Sequence, residues 1–103
     1  MNIGIVEDDL LQQTALANWL EDAGHQCSCF TNGHEFTHKM QEEEYQLLLL
    51  DWELPGMSGI DILTWLRSQI NANTPVIFIT SRDSEEDIVC ALNNGADDYL
   101  TKP

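Results

Sequence analysis

Acidic, hydroxyl and amine side chains stand directly after apolar segments of this chain. Glu7 and Asp8 follow a short β-rich segment, and Asp51 follows a run of four leucines. Thr80 ends a later apolar run, and Lys102 comes shortly after the last apolar pair. Carboxylates that meet in one crevice repel each other, so a group of this kind is typical of a site for a hard divalent cation.

These residue types together suit a phosphoryl group. Mg²⁺ favours one or two carboxylates, several waters and a substrate phosphate. The Lys102 amine supplies positive charge, and the Thr80 hydroxyl supplies a hydrogen-bond donor. The set predicts in-line phosphoryl transfer onto a carboxylate, in which catalysis is mostly positioning and charge neutralisation. A flavodoxin-type nucleotide site is not expected, because the acids after the first strand would repel its phosphate.

Strands and helices must alternate along the chain to bring these residues together. Apolar runs predict the strands, and apolar stripes with a spacing of three or four residues predict the helices between them. The strands are predicted at 2–6, 25–30, 45–50, 75–79 and 99–100, and the helices at 10–23, 33–44, 60–70 and 85–94. Gly24 and Gly95 stand where two of these helices should end.

The continuous apolar runs are typical of parallel strands that are buried on both faces. Right-handed crossovers then give an α/β doubly wound sheet, for which the flavodoxin-like order 2-1-3-4-5 is the common small solution. Ligands of such sheets bind at the carboxyl ends of the strands, where the strand order switches between the first and the third. We therefore expect Glu7, Asp8 and Asp51 to meet there, in a single domain over residues 1–103.

Aromatic and aliphatic residues on the helical stripes are expected to form the core. Trp19 and Trp65 lie on such stripes and should sit in the core or at its rim. In the fourth helix, Ile88, Ala91 and Leu92 are expected to face inward and Cys90 outward.

Composition restricts the partners of the chain. Eighteen acidic residues stand against four basic ones among 103, for a formal charge of −14. Such a surface repels phosphate backbones and anionic lipid, so neither nucleic acid nor membrane is an expected partner of these residues. Three cysteines, Cys27, Cys29 and Cys90, favour reduced thiols and a cytoplasmic location. Cys27 and Cys29 could form half of a thiolate metal site, but no second cysteine pair is present.

One motif points to different chemistry. The segment His34-Glu35-Phe36-Thr37-His38 matches the H-E-x-x-H pattern of zinc-protease helices. A catalytic zinc needs a third ligand and a substrate cleft, and the predicted helix lies away from the strand ends. Solvent-exposed histidines are the simpler interpretation, with adventitious surface zinc as an alternative.

The whole sequence resembles the receiver domain of bacterial two-component response regulators. Four segments at matching strand ends carry the resemblance: Ile5–Asp9, Leu50–Gly56, Ile79–Arg82 and Gly95–Pro103. The last segment is most similar to the winged-helix transcription-regulator branch. The resemblance implies a five-stranded receiver fold and a signalling domain that is not an enzyme, although it assists its own phosphorylation and dephosphorylation.

The resemblance also implies a phosphoacceptor and its metal. Asp51 would accept a phosphoryl group from the phosphohistidine of a sensor histidine kinase. Mg²⁺ would be held by Asp8 and Asp51, by Glu7 through water, and by the backbone carbonyl of Glu53.

Further roles follow from the same resemblance. Lys102 would contact the phosphoryl group, Thr80 would be the switch hydroxyl, and Tyr99 would be the switch aromatic ring that turns inward. Glu53 and Arg82 occupy the positions that tune dephosphorylation, and their opposite charges could pair across the mouth of the site. The family often has a cis peptide bond before the final proline, here between Lys102 and Pro103, and the sequence permits one.

The resemblance leads to expectations about assembly. Any DNA contact would need an effector domain that the 103 residues do not contain. Winged-helix relatives dimerise through the fourth helix, the fifth strand and the fifth helix, and a homodimer through the fourth helix and fifth strand is an expectation for the chain. In these relatives, acidic residues of the strand pair with basic residues of the helices. Asp97 and Asp98 supply the acidic residues here, but the predicted helix 85–94 contains no Lys or Arg.

The sequence reaches Lys102-Pro103 where a receiver would begin its fifth helix. We therefore expect a receiver that lacks this helix and leaves part of one sheet face bare, which favours lower stability or association. Three other functions stay open: a degenerate receiver that never meets phosphate, a hydrolase with an aspartyl nucleophile, and a simple acidic cation-binding protein.

Overall fold

Five strands and four helices alternate in the computed structural model, which describes residues 1–69 and 73–102. The strands are β1 (Asn2–Val6), β2 (Gln26–Phe30), β3 (Leu47–Leu50), β4 (Val76–Thr80) and β5 (Asp98–Thr101). The helices are α1 (Leu10–Asp22), α2 (Gly33–Met40), α3 (Gly59–Arg67) and α4 (Glu85–Asn93). The predicted end of the third helix at residue 70 and the Lys102-Pro103 bond lie outside the described residues.

All five strands form one parallel sheet in the order β2-β1-β3-β4-β5, which confirms the predicted topology. The register pairs Val6 of β1 with Phe30 of β2 and with Leu50 of β3. These three strands therefore end level with one another. Thr80 is paired with Thr101 at the same edge of the sheet, so the residues that follow the strands emerge side by side.

The sheet separates two apolar layers. The larger layer packs α2, α3 and α4 on one face, with fully buried side chains such as Phe36, Leu63 and Phe78. The smaller layer lies under α1 and contains Ile5 and Ala17 among its buried residues. The two layers follow from the alternation of side chains along each buried strand.

The α1 face is covered only in part. Trp19 is 71% exposed and Leu100 is 49% exposed, and Leu16, Ile77 and Ile79 are half-buried. We call these five residues the α1-side apolar surface, and part of it lines a cleft of about 450 Å³. The prediction that Trp19 belongs to the core or its rim is wrong, because this side of α1 leaves the indole largely in solvent. The expected bare sheet surface is present.

Polar side chains cap the starts of all four described helices. Backbone N–H groups of the first turn donate to the side chains of Asp9, Asn32, Ser58 and Ser84, and Ser58 forms a capping box with Asp61.

Among the described residues, none of the helices has the length and hydropathy that a membrane span requires.

Two helical details differ from the prediction. α2 ends at Met40 rather than near residue 44, because the acidic run 42–44 would oppose the helix dipole at a C-terminus. In α4, Ala91 is fully buried and Leu92 is 44% exposed, so the inward face includes Ala91 and the half-buried Ile88. The prediction that Leu92 faces inward is therefore wrong, whereas Cys90 is exposed as expected.

Candidate functional site

Three carboxylates converge at the carboxyl ends of β1 and β3. Oxygens of Glu7, Asp8 and Asp51 lie within 4.8 Å of one another, and among the described residues this is the group of three acidic, His or Cys side chains that could hold a metal ion. Glu7 and Asp51 are only 2% and 7% exposed, whereas Asp8 faces solvent. The strand-end argument from the sequence is therefore confirmed in its geometry.

The end of β3 places Asp51 through backbone contacts. The Asp51 N–H donates to the Val6 carbonyl at 3.1 Å, which holds the end of β3 against β1. The Asp51 Oδ1 atom accepts from the Glu53 N–H at 3.2 Å. The Gly59 N–H donates to the Trp52 carbonyl at 2.8 Å, so α3 begins directly against this turn.

Lys102 lies between the two buried acids. Its Nζ donates to Glu7 Oε1 at 2.5 Å and to Asp51 Oδ2 at 2.8 Å. The Lys102 N–H donates to the Thr80 carbonyl at 2.8 Å, which fixes the backbone that carries the amine. One cation of the protein thus compensates two buried negative charges.

The shared amine sets the titration of the pair. Burial raises the pKa of Glu7, and the Asp51 charge adds to this effect against the hydrogen bond from Lys102. Burial also acts upward on Asp51, but hydrogen bonds from Lys102, Thr80 and the Glu53 backbone hold its pKa below the ordinary value. Burial lowers the pKa of Lys102, and its two carboxylate partners outweigh this and raise it. Asp51 is therefore the more readily ionised of the two acids.

The two predicted switch residues flank the β4–α4 connection. Thr80 is fully buried, and its hydroxyl oxygen accepts from the Arg82 N–H at 3.4 Å. The Tyr99 ring stacks on Phe78 with centroids 5.9 Å apart. The Tyr99 hydroxyl donates to the Arg82 carbonyl at 2.8 Å, so the ring and the connection are joined.

Arg82 spans the mouth of the site. Its Nε donates to Glu53 Oε1 at 3.1 Å, and its Nη1 lies 3.5 Å from Asp87 Oδ1. The guanidinium carbon lies 4.8 Å from the centre of the Trp52 ring, a cation–π distance. The predicted Glu53–Arg82 pair is present, and because both side chains are exposed it contributes little to stability.

The acidic group fits Mg²⁺ by its donor chemistry. Carboxylate oxygens are the ligands that Mg²⁺ prefers, and the exposed Asp8 leaves room for the waters that the ion keeps. Two buried acids held by one amine carry excess negative charge, which a divalent cation would offset.

The H-E-x-x-H segment shows no comparable convergence. Within residues 1–69 and 73–102, His34, Glu35 and His38 do not belong to a group of three ligand atoms that meets the same distance limit. Glu35 instead accepts from the Asn32 amide at 3.2 Å beside the α2 cap. The catalytic-zinc alternative has no support from this geometry.

Two residues near the site were not singled out from the sequence. Gln13 is buried in α1, and its amide donates to the carbonyls of Glu7 and Phe30. Gly59 stands where a Cβ would meet the Asp51 carbonyl oxygen and the Phe78 ring. Gly59 could have been singled out, because it stands with Pro55 and Gly56 in a segment typical of a tight loop. Nothing in the sequence distinguishes Gln13 from an ordinary exposed polar residue of a helix.

Comparisons with known proteins agree with this arrangement. The family profile described as the response regulator receiver domain matches residues 3–103. The chain is 43% identical over 103 residues to the response regulator protein PmrA of Pseudomonas aeruginosa, covering 100% of this chain and 46% of PmrA. It is 39% identical over 103 residues to the transcriptional regulatory protein HprR of Escherichia coli, covering 100% of this chain and 45% of HprR.

A solved structure shows the same fold. The receiver domain of the Francisella response regulator 1452 superposes with a TM-score of 0.94 at 33% identity, covering 99% of this chain and 84% of that one. The chain spans about half the length of the curated relatives it matches. HprR is by name a transcriptional regulatory protein, which confirms the resemblance to the winged-helix branch.

Proposed function

Because the chain belongs to the family of response regulator receiver domains, we propose that Asp51 accepts a phosphoryl group from the phosphohistidine of a sensor histidine kinase. The observation that carries this proposal is a buried, ionised Asp51 beside the Lys102 amine and the Thr80 hydroxyl. The phosphorus–nitrogen bond to the kinase histidine breaks as a carboxylate oxygen bonds to phosphorus. The electron pair of the broken bond stays on the kinase imidazole, which leaves as a neutral ring when its other nitrogen carries a proton. Asp51 is already ionised and gives up no proton, so the receiver contributes positioning and charge neutralisation.

The acids beside Asp51 are proposed to hold Mg²⁺. Asp8 and Asp51 would be direct ligands, Glu7 would act through water, and the Glu53 carbonyl would complete the set. The ion would neutralise charge on the transferring group, which adds about −1.5 to −2 to an already acidic site. Lys102 would turn from the two carboxylates toward the phosphoryl oxygens.

Phosphorylation is proposed to act on the β4–α4 connection. A phosphoryl oxygen on Asp51 would draw the Thr80 hydroxyl, which now accepts from the Arg82 N–H. The carbonyl of Arg82 also holds the Tyr99 hydroxyl, so a shift of this backbone would release the ring to turn inward. The change would be read on the face of α4 and β5, as expected of a two-state switch.

The output is proposed to be transcription control. Curated relatives about twice as long include transcriptional regulators, so DNA contact is assigned to an effector domain outside these 103 residues. We place the signalling step in the cytoplasm, where the three free thiols would stay reduced. The domain would not be an enzyme, although it assists its own phosphorylation and dephosphorylation.

We propose that any homodimer through α4 and β5 forms with low affinity. Asp97 is already engaged within the chain, because it accepts from Arg67 at 3.1 Å and from the Val76 N–H at 2.8 Å. Asp98 is left as the exposed acid of β5, and α4 offers no basic residue to pair with it.

One experiment separates the receiver from its rivals. The chain is incubated with acetyl phosphate and Mg²⁺, and its intact mass is compared with that of Asp51→Asn. A single phosphoryl adduct that is lost in Asp51→Asn and in excess chelator supports the proposal. Turnover without an adduct would indicate a hydrolase. An unchanged mass would indicate a degenerate receiver or a simple cation-binding protein.

A further inference from the structure

Gln13 is a buried polar side chain that the proposed function does not use. In the part of the chain that the structure describes, the buried polar side chains are Glu7, Gln13, Asp51 and Thr80. The other three belong to the site at the strand ends, whereas Gln13 is the fourth residue of α1. A buried amide is costly unless it is hydrogen-bonded, and an apolar side chain of similar shape could fill the same space.

The Gln13 amide donates hydrogen bonds to two backbone carbonyls, one directly after β1 and one at the end of β2. Its Nε2 donates to the Glu7 carbonyl at 3.0 Å and to the Phe30 carbonyl at 3.0 Å. The same Phe30 carbonyl accepts from the Glu7 N–H at 2.9 Å. Both polar groups of the Glu7 backbone are therefore fixed, the N–H by Phe30 and the carbonyl by Gln13.

These bonds bear on the acidic pair. The Glu7 carbonyl belongs to the peptide that leads into Asp8, so fixing this peptide restricts the backbone from which the Asp8 side chain projects. At the other end of the turn, the Asp9 side chain caps α1. The turn 7–9 is thus held at one end by Gln13 and at the other by a helix cap.

We infer that Gln13 is a positioning residue, which holds Glu7 and Asp8 in the geometry that binds a divalent cation before the ion arrives. Without this restraint, repulsion among the carboxylates would drive the turn away from Asp51. The inference rests on the proposed function, because it takes the acidic pair as cation ligands. Groups that orient metal ligands without touching the metal change its affinity by about 10–100-fold.

The test replaces the amide with a side chain of similar size. Gln13→Met removes both hydrogen bonds, and Gln12→Met makes the same change at the exposed neighbouring residue. Mg²⁺ affinity is measured by calorimetric titration, and the rate of adduct formation with acetyl phosphate is measured across Mg²⁺ concentrations. We expect Gln13→Met to weaken Mg²⁺ binding about tenfold and to reach the wild-type rate at saturating Mg²⁺. Gln12→Met should match the wild type in both.

Each contrary result has a separate meaning. A wild-type Mg²⁺ affinity in Gln13→Met, whatever its melting temperature, overturns the inference. A wild-type chain that forms no adduct contradicts the proposed function, and the calorimetric titration of Gln13→Met still decides the role of Gln13.

A second measurement covers the case that Gln13→Met does not fold. In the wild type, the side-chain amide protons of Gln13 should exchange with solvent more slowly than those of Gln12, and their NMR signals should shift when Mg²⁺ is added. Exchange as fast as that of Gln12 and no shift would overturn the inference.

Discussion

Glu7 and Asp51 are two buried carboxylates that share the amine of Lys102. Burial and the neighbouring Asp51 charge raise the pKa of Glu7 above its ordinary value of 4.5, so the folded chain disfavours its ionised form. When folding raises the pKa of an acid, its contribution to the free energy of unfolding is fully present below the ordinary pKa. That contribution is lost as the pH rises through the raised pKa. At neutral pH, ionised Glu7 therefore lowers the stability of the metal-free chain.

Glu7→Gln should accordingly raise the melting temperature of the metal-free chain at pH 7. The gain is expected because the neutral amide does not carry the buried charge that folding disfavours. Thermal unfolding followed by circular dichroism in excess chelator measures it, with exposed Glu44→Gln as the control that should not change. A melting temperature below that of the wild type would show that Glu7 stabilises the fold.

Arg82 covers the mouth of the site through Glu53, Asp87 and Trp52. Arg82→Ala should shorten the lifetime of the Asp51 adduct severalfold, because it opens the site to attacking water. The decay of the adduct after removal of the phosphodonor measures this, and Arg67→Ala, which changes an arginine that contacts Gly95 and Asp97, is the comparison. A lifetime unchanged in Arg82→Ala would remove Arg82 from the tuning of dephosphorylation.

Residue types at strand ends could be predicted because the fold itself brings those ends together. The convergence of Glu7, Asp8 and Asp51 required only the strand order, and the Glu53–Arg82 pair required only adjacent loops. Gln13 could not be predicted, because its burial depends on how α1 tilts against β1 and β2. The sharing of Lys102 by two acids is likewise set by distances that no sequence pattern contains.

At the scale of elements, α3 is placed against the end of β3 by a glycine and a cap. A Cβ at Gly59 would lie 2.7 Å from the Phe78 ring and 2.9 Å from the Trp52 Cα, besides meeting the Asp51 carbonyl. The Ser58 hydroxyl accepts from the Asp61 N–H at 3.2 Å. The start of α3 thus requires a residue without a Cβ at position 59 and a side chain that can cap the helix at position 58.

Gly59→Ala should therefore destabilise the chain more than Ser58→Ala. Loss of the cap costs about 1 kcal/mol, whereas a clash with backbone and a core ring costs about 1–3 kcal/mol or more. Urea unfolding of both variants measures the difference. Equal midpoints would show that the added methyl group costs no more than the lost cap, and that α3 can shift to accommodate it.

Element types were predicted correctly where periodicity was strong, and their ends were not. The predicted second helix continued to residue 44, because the sequence pattern does not weigh three carboxylates against the helix dipole. The inward face of α4 was misjudged at Leu92, because burial follows the contact of Ala91 with the sheet. Tertiary packing decided both cases.

At the scale of the whole molecule, an apolar surface coexists with a charge of −14. The α1-side apolar surface favours association, whereas like charges on two copies oppose it. Salt screens the repulsion over a Debye length of about 8 Å at 0.15 M and leaves apolar contact almost unaffected. Salt should therefore shift the balance toward association.

We expect the 103-residue chain to be monomeric at low salt and to associate as NaCl is added. Light scattering coupled to size exclusion measures this, and the double variant Trp19→Glu and Leu100→Glu should stay monomeric throughout. Association that persists in the double variant would place the contact elsewhere, for example on α4. The bare surface itself was predictable from the strand and helix count, but the exposure of Trp19 was not.

The central claim is that the Asp51 carboxylate is the phosphoacceptor, and the most direct measurement locates the adduct. The chain is treated with acetyl phosphate and Mg²⁺, then reduced with borohydride, which converts an aspartyl phosphate into homoserine. Peptides are then sequenced by tandem mass spectrometry. The structure predicts homoserine at position 51 and aspartate unchanged at Asp8 and Asp9. Homoserine at another aspartate, or none at any, would contradict the assignment.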